Sequence, residues 1–254
     1  MKLFNKAIDI SIKKMLSYHN EIYMVFINSL LSVLTTILFW KILFNNMSSF
    51  AYSNAFIYIL AMVGLISDGL SEVFFGLRDF EYLVVDGSLD SYLYKPKNPL
   101  YLIIIERIPV IPLIQKTVLG IIGLTYVFMK FNVQFSFLNL IYAIFFMALG
   151  IVYYHLVYGI FTLFSLNYEK ISSIRDLIFQ FNESKKYPIT IFPKFLVNFL
   201  TYVVPMSLVA YYPTVILLGI EESLPKMFFS LPIVLILATV TYKKCMNKYS
   251  SNGG

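Results

Sequence analysis

Charge is what this 254-residue chain has least of. Only 13% of its residues are Asp, Glu, Lys or Arg, against roughly 25% in soluble domains, so much of the usual solvated surface is missing. Cysteine is nearly absent too. The single Cys245 excludes an intramolecular disulfide framework and any multi-cysteine metal site. His19 and His155 are the only histidines, and they give no His-Glu-x-x-His pattern. No Gly-x-x-x-x-Gly-Lys loop is present, so the chain is not expected to hydrolyse nucleotide by itself. With no catalytic constellation and no resident metal or cofactor to expect, an enzyme is disfavoured.

What is abundant is apolar. Hydrophobic residues make up 59% of the chain and aromatic ones 18%. Residues 22–40, 42–67, 131–168, 195–220 and 227–242 contain no charged side chain. A helix crosses a bilayer with about 20 apolar residues. Strand-like alternation is missing, so the reading is an all-α integral membrane protein. Lys and Arg outnumber Asp and Glu by 20 to 14. The excess sits at the ends of apolar runs, as topology demands, and does not point to nucleic acid. No cleavable signal peptide is visible, because the first long apolar run begins only near Ile22.

Residues 1–20 read as an amphipathic interfacial helix. Phe4, Ile8, Ile12 and Met15 fall on one side and Lys2, Lys6, Asp9 and Lys13 opposite, toward lipid headgroups. Spans are expected at about 21–44, 54–75, 100–129 and 137–166, the third bent by Pro109 and Pro112. Arg78, Lys95, Lys97 and Arg107 surround the polar stretch 78–99, whereas residues 45–53 carry no charge. The stretch and both termini are therefore expected in the cytoplasm. Beyond residue 166 two readings stand. Either 167–194 is a surface segment before a fifth span at 195–220, or 168–187 is a protein-buried helix and 188–219 dips into the outer leaflet and returns. Lys185 and Lys186 favour the first; Pro188, Pro193, Pro205 and Pro213 favour the second. A final span at 226–242 follows. No appended soluble domain is seen.

Few residues invite chemistry. His155 is an intramembrane ionisable group, by default a functional candidate, although a neutral histidine bonded within the bundle is the preferred reading. Asp68 and Glu72 share a helix face and are either an ion-binding or gating pair or partners of Arg78. Arg175 and Asp176 line a pathway only if their segment is buried. Within the polar stretch, Phe80, Glu81, Tyr82 and the following apolar residues extend the second span until Asp86 and Gly87 end it. Ser88 can cap a short helix, 89–94, that presents Leu89, Tyr92 and Leu93 as an apolar ridge beside Asp90. Such a helix suits a groove on a soluble partner.

Gly87-Ser-Leu-Asp-Ser-Tyr-Leu-Tyr-Lys-Pro96 resembles the Gly-x-Leu-Asp-x-x-Leu-x-x-Pro signature of ABC-2 type permeases, the membrane subunits of bacterial ABC exporters. Lys186-Tyr-Pro-Ile-Thr-Ile-Phe192, with Val204-Pro and Ala210-Tyr-Tyr-Pro213, is similar to that family's region around its last two helices. Lys248-Tyr-Ser-Ser-Asn-Gly-Gly254 is similar to its Tyr-Ser-Ser-Ala-Gly-like end, departing at Asn252. The resemblance implies six spans, an interfacial N-terminal helix, a cytoplasmic coupling helix, and outer-leaflet re-entrant helices between spans five and six. It also implies two permease copies (or one copy with a related permease) docked on cytoplasmic ATPase subunits that hold ATP and Mg. The cargo would be a hydrophobic or amphipathic drug, antimicrobial peptide or lipid, moved across the bacterial cytoplasmic membrane. An ion-coupled secondary transporter using Asp68, Glu72 or His155 is the alternative.

Overall fold

A computed structural model describes residues 19–46, 53–166, 172–220 and 230–249, with residues 9, 12, 13 and 17 before them. Every regular element among these residues is helical, with no strand among them. Of the expected interfacial helix 1–20, little lies within the described residues beyond an exposed Lys13–Asp9 ion pair at 2.7 Å.

The first three long helices are α1 (His19–Asn46), α2 (Asn54–Ser71) and, after several short elements, α7 (Val110–Lys130). Ser53 accepts a hydrogen bond from the Phe56 amide and so caps α2. The α2–α7 seam is close because glycine lets the backbones approach. A Cβ on Gly120 would lie 2.5 Å from Cγ1 and 2.9 Å from the amide nitrogen of Ile66, and one on Gly69 would lie 2.3 Å from Thr117 Oγ1. In lipid such contact is the main source of helix association, since acyl chains are as apolar as leucine. Helix α1 is peripheral; Tyr23, Leu31, Leu34 and Ile42 on it are exposed.

The second span continues through residues 80–85, as their apolar character predicts. A 3-10 turn (Glu72–Phe74) tightens it, and it then continues through α3 (Phe75–Arg78) and α4 (Phe80–Val85), giving an apolar run of Asn54–Val85. Nothing in Phe74, Phe75, Leu77 or Phe80 breaks a helix, so it stops only at Asp86 and Gly87. The third span is shorter than the expected 100–129. Pro109 has an extended backbone, φ −79° and ψ 87°, which separates α6 (Pro99–Glu106) from α7. The fourth matches its expectation: α8 (Phe137–Leu163) plus a 3-10 turn to Leu166. It forms the middle of the bundle, with Ala143, Met147, Gly150, Ile151 and Tyr154 buried.

After α8 the chain forms α9 (Ser172–Phe181), a 3-10 extension (Asn182–Lys186) and then a pair of helices. The first is α10 (Lys194–Tyr202). The second starts with a π-helical turn (Ser207–Tyr211) and becomes α11 (Tyr212–Leu217). The two are bent by 76°, so the straight span expected over 195–220 does not form. Pro205 sits at the bend and offers no amide. The π turn docks on α8 where Gly150 leaves room; a Cβ there would lie 2.8 Å from the Leu208 carbonyl carbon. The Tyr153 hydroxyl donates to the Tyr202 carbonyl at 2.6 Å, and Ser207 donates to Thr201 at 3.2 Å, so the bend is tied down on both sides. The last helix is α12 (Ser230–Lys248).

Among the described residues four helices are long and apolar enough to span a membrane, five if the bent pair counts as one. The buried side chains form two separate cores. The larger joins α2, α8 and the bent pair around residues such as Phe56, Tyr153, Met206 and Leu208. The smaller lies at the end of the bundle that carries the polar stretch. It gathers Phe80, Leu83, Val84, Leu89, Tyr92, Leu102, Ile103, Leu163, Leu166 and Cys245.

Candidate functional site

The polar stretch is a compact connection built on the smaller core. At the end of α4 the Gly87 amide donates to the Val84 carbonyl at 3.3 Å and the Leu89 amide to the Leu83 carbonyl at 2.8 Å. Gly87 has φ +74°, the left-handed conformation that glycine adopts without strain. The capping roles differ from expectation. Asp86 accepts from both the Ser88 amide, 2.9 Å, and the Ser88 hydroxyl, 2.6 Å, forming an Asx turn. The Ser88 hydroxyl, followed by its amide, holds the Asp86 carboxyl below the usual aspartate range. The short helix α5 is Asp90–Leu93, and Asn98 caps α6 by accepting from the Leu100 amide at 2.9 Å.

The expected apolar ridge faces inward. Leu89 is 0% exposed and Tyr92 8%, while Leu93 is half-buried against the same core. Phe80 and Glu81 are buried as well. A leucine ridge on a four-residue helix satisfies itself against the nearest apolar surface, here α4, α6 and the end of α8. What faces outward is a different set: Tyr82 at 63%, Val85 at 58% and Tyr94 at 88% exposure, flanked by Asp86 and Ser91. The base beneath is cross-braced. Lys95 lies over the Tyr92 ring at 4.5 Å and bonds both Glu106 oxygens at 3.1 Å. Burial, with Glu106 adding to it, raises the Tyr92 hydroxyl above the usual phenol range. Arg107 pairs with Asp79, bridging α6 to the residue before α4.

The intramembrane candidates resolve into paired charges. Glu72 is buried and accepts from Lys116 at 2.6 Å and from Arg78, so its expected partner Arg78 is present and Lys116 of α7 is added. Asp68, one turn away, pairs with Lys185. The Lys185 side chain is 1% exposed and also donates to Asn182 at 2.9 Å. Lys185 thus lies inside protein, although as half of a lysine pair it argues for a surface segment when the sequence is read alone. An unpaired buried ammonium would be costly, and Asp68 makes the burial tolerable. A small cleft of about 20 Å³, room for roughly one water, lies beside the pair between Ser32, Thr36, Gly64 and Asp68.

His155 is 2% exposed. Its Nδ1 lies 2.8 Å from the Ile151 carbonyl, and its ring stacks on Phe74 at 4.4 Å. Asp176 is exposed on α9, and the Arg175 side chain lies outside the described residues. The sequence alone did not single out Lys116 or the Asp79–Arg107 pair, and it cast Lys185 as a surface residue. The available signal was simply a lysine inside an apolar helix, which requires a carboxylate. No group of three or more His, Cys, Asp or Glu side chains among the described residues could hold a metal ion.

Comparison with known families gives one finding. The model for a family described as "ABC-2 family transporter protein" matches residues 30–253, most of the chain. No curated protein matches it.

Proposed function

This chain belongs to the ABC-2 transporter family, a family of membrane transport subunits, and from that premise we propose that it is the permease of an ABC exporter driven by a separate cytoplasmic ATPase. The ATPase docks on the outward face of the polar stretch, at Tyr82, Val85, Asp86, Ser91 and Tyr94. One observation carries this reading: large apolar side chains stand exposed at the water-facing, basic end of the bundle, on a loop whose own core is full. Exposed apolar groups that lipid cannot cover mark a protein contact. Because Leu89, Phe80 and Leu83 are buried together, a push on the loop is passed into α4 and along the Asn54–Val85 helix rather than absorbed locally.

Two such subunits assemble, and the cargo moves along their interface. The apolar interior favours a hydrophobic or amphipathic substrate such as a drug, antimicrobial peptide or lipid. The bent pair α10–α11 acts as the re-entrant element of the outer leaflet, α9 with its extension serves as the fifth span and α12 as the sixth. The termini lie in the cytoplasm. An ion-coupled transporter receives less support, since Asp68 and Glu72 are each engaged by a lysine.

Purification in mild detergent tests the reading: a nucleotide-binding subunit should copurify in stoichiometric amount. Val85→Asp with Tyr94→Ala should release it while the permease still inserts. Retained association and ATP-driven turnover in that variant would refute the docking face.

A further inference from the structure

Two segments about 159 residues apart in the sequence, the Gly-x-Leu-Asp loop and the end of the last helix, meet in space. The Tyr249 hydroxyl donates to Asp90 Oδ1 at 3.1 Å. One further contact runs in parallel: the Tyr242 hydroxyl donates to Asn98 Oδ1 at 3.4 Å, the same oxygen that caps α6. Tyr242, Cys245, Met246 and Tyr249 follow one another at the spacing of a single helix face, and that face packs on the smaller core. The last helix thus packs on the loop at Asp90 and Asn98.

We propose that the end of α12 is a clasp on the coupling loop, with Tyr249 as a positioning residue that holds Asp90 so that loop and last helix move as one body. The proposal rests on the exporter reading for what drives the motion. It adds a second route for the stroke, through α12, beside the direct one through α4 and the second span. A hydrogen bond to a carboxylate is stronger than one between neutral groups, and this one is half-shielded from water. Burial, followed by the Asp90 carboxylate, pushes the Tyr249 hydroxyl up to about 12, so it remains a donor at neutral pH. The contact is directional: Asp90 fixes α5, which carries the exposed Ser91 and is followed by the exposed Tyr94.

The chain supplies its own probe. Cys245 is its single cysteine and is buried in this core, so its reaction with a maleimide reports opening of the clasp. In the detergent-solubilised complex with its copurifying ATPase, Tyr249→Phe and Asp90→Ala should each label about tenfold faster than the native chain, as expected for loss of one hydrogen bond to a charged group. The double variant should label no faster than either single, since both remove the same bond. ATPase copurification should be unchanged in Tyr249→Phe, because Tyr249 lies outside the docking face. ATP with orthovanadate should alter Cys245 labelling in the native complex and leave it unaltered in Tyr249→Phe, a loss that a merely structural contact would not cause. Native labelling rates in both single variants, or additive rates in the double, would overturn the clasp. If the variants label faster but no ATPase copurifies with the native chain, the exporter reading fails and the clasp stands without its driving force. If an ATPase does copurify and Tyr249→Phe keeps the orthovanadate response, the coupling role falls.

Discussion

The two cores of this protein are held by different physics. In the larger one, between α2, α7, α8 and the bent pair, glycines let backbones touch and buried charges are matched across helices. Lipid surrounds it, so apolar burial contributes little drive and contact quality decides. In the smaller one, leucines and aromatics from α4, α5, α6, α8 and α12 meet at the end that carries the polar stretch. There burial itself stabilises, at about 25 cal/mol per Å² of apolar surface. A membrane core should therefore fail when it is overfilled or left with an unmatched charge, and the loop core when it is hollowed.

The largest expected effect is on the buried charge. Asp68→Ala leaves the Lys185 ammonium enclosed and unmatched, at a cost of about 3–5 kcal/mol. The yield of monodisperse protein in detergent should collapse, and Asp68→Leu with Lys185→Met should restore it. Equal yields for Asp68→Ala and the double variant would show the pairing to be unimportant. Next is Leu89→Ala, which hollows the loop core by about 2–5 kcal/mol. Its signature is selective: faster proteolysis within 78–99 with little change in the melting of the membrane helices. If both change together, the cores are not separate units. Gly120→Ala, which crowds the Ile66 backbone, should cost about 1–3 kcal/mol and lower the melting temperature of the bundle while the loop keeps its protease resistance.

Smallest is Asp86→Ala, which removes the Asx turn at about 1 kcal/mol. The Asp86 carboxyl is held low, so its contribution is complete above the unfolded value of roughly 3.9. It is lost as pH falls through the lower folded value. Loop protection measured by hydrogen exchange should be flat from neutral pH down to about 5 and weaken only below, and the variant should remove that acid-side change.

The spans and the loop were legible in the sequence because both are contrasts of polarity over many residues. The first, second and fourth spans occur where the charge-free runs are, and the loop lies between Arg78 and Pro99. Which way Leu89, Tyr92 and Leu93 face was not legible. An apolar ridge on a short helix has the same pattern whether a partner or the chain's own α4 and α6 cover it. Lys185 misled for a related reason. Hydropathy treats a lysine as solvated, while the carboxylate that permits its burial lies 117 residues away. The bend between α10 and α11 was foreshadowed by Pro205. The meeting of Tyr249 with Asp90 had no local signal at all, because only the folded chain brings the end of α12 to the loop.

Site-directed cross-linking probes the central claim most directly. In a Cys245→Ser background, a thiol-to-amine cross-linker reacts with a single cysteine placed at Val85 or at Leu89 in the assembled complex. The docking face predicts efficient ATPase cross-linking from Val85→Cys and none from the buried Leu89→Cys. A silent Val85→Cys alongside a reactive Leu89→Cys would contradict it.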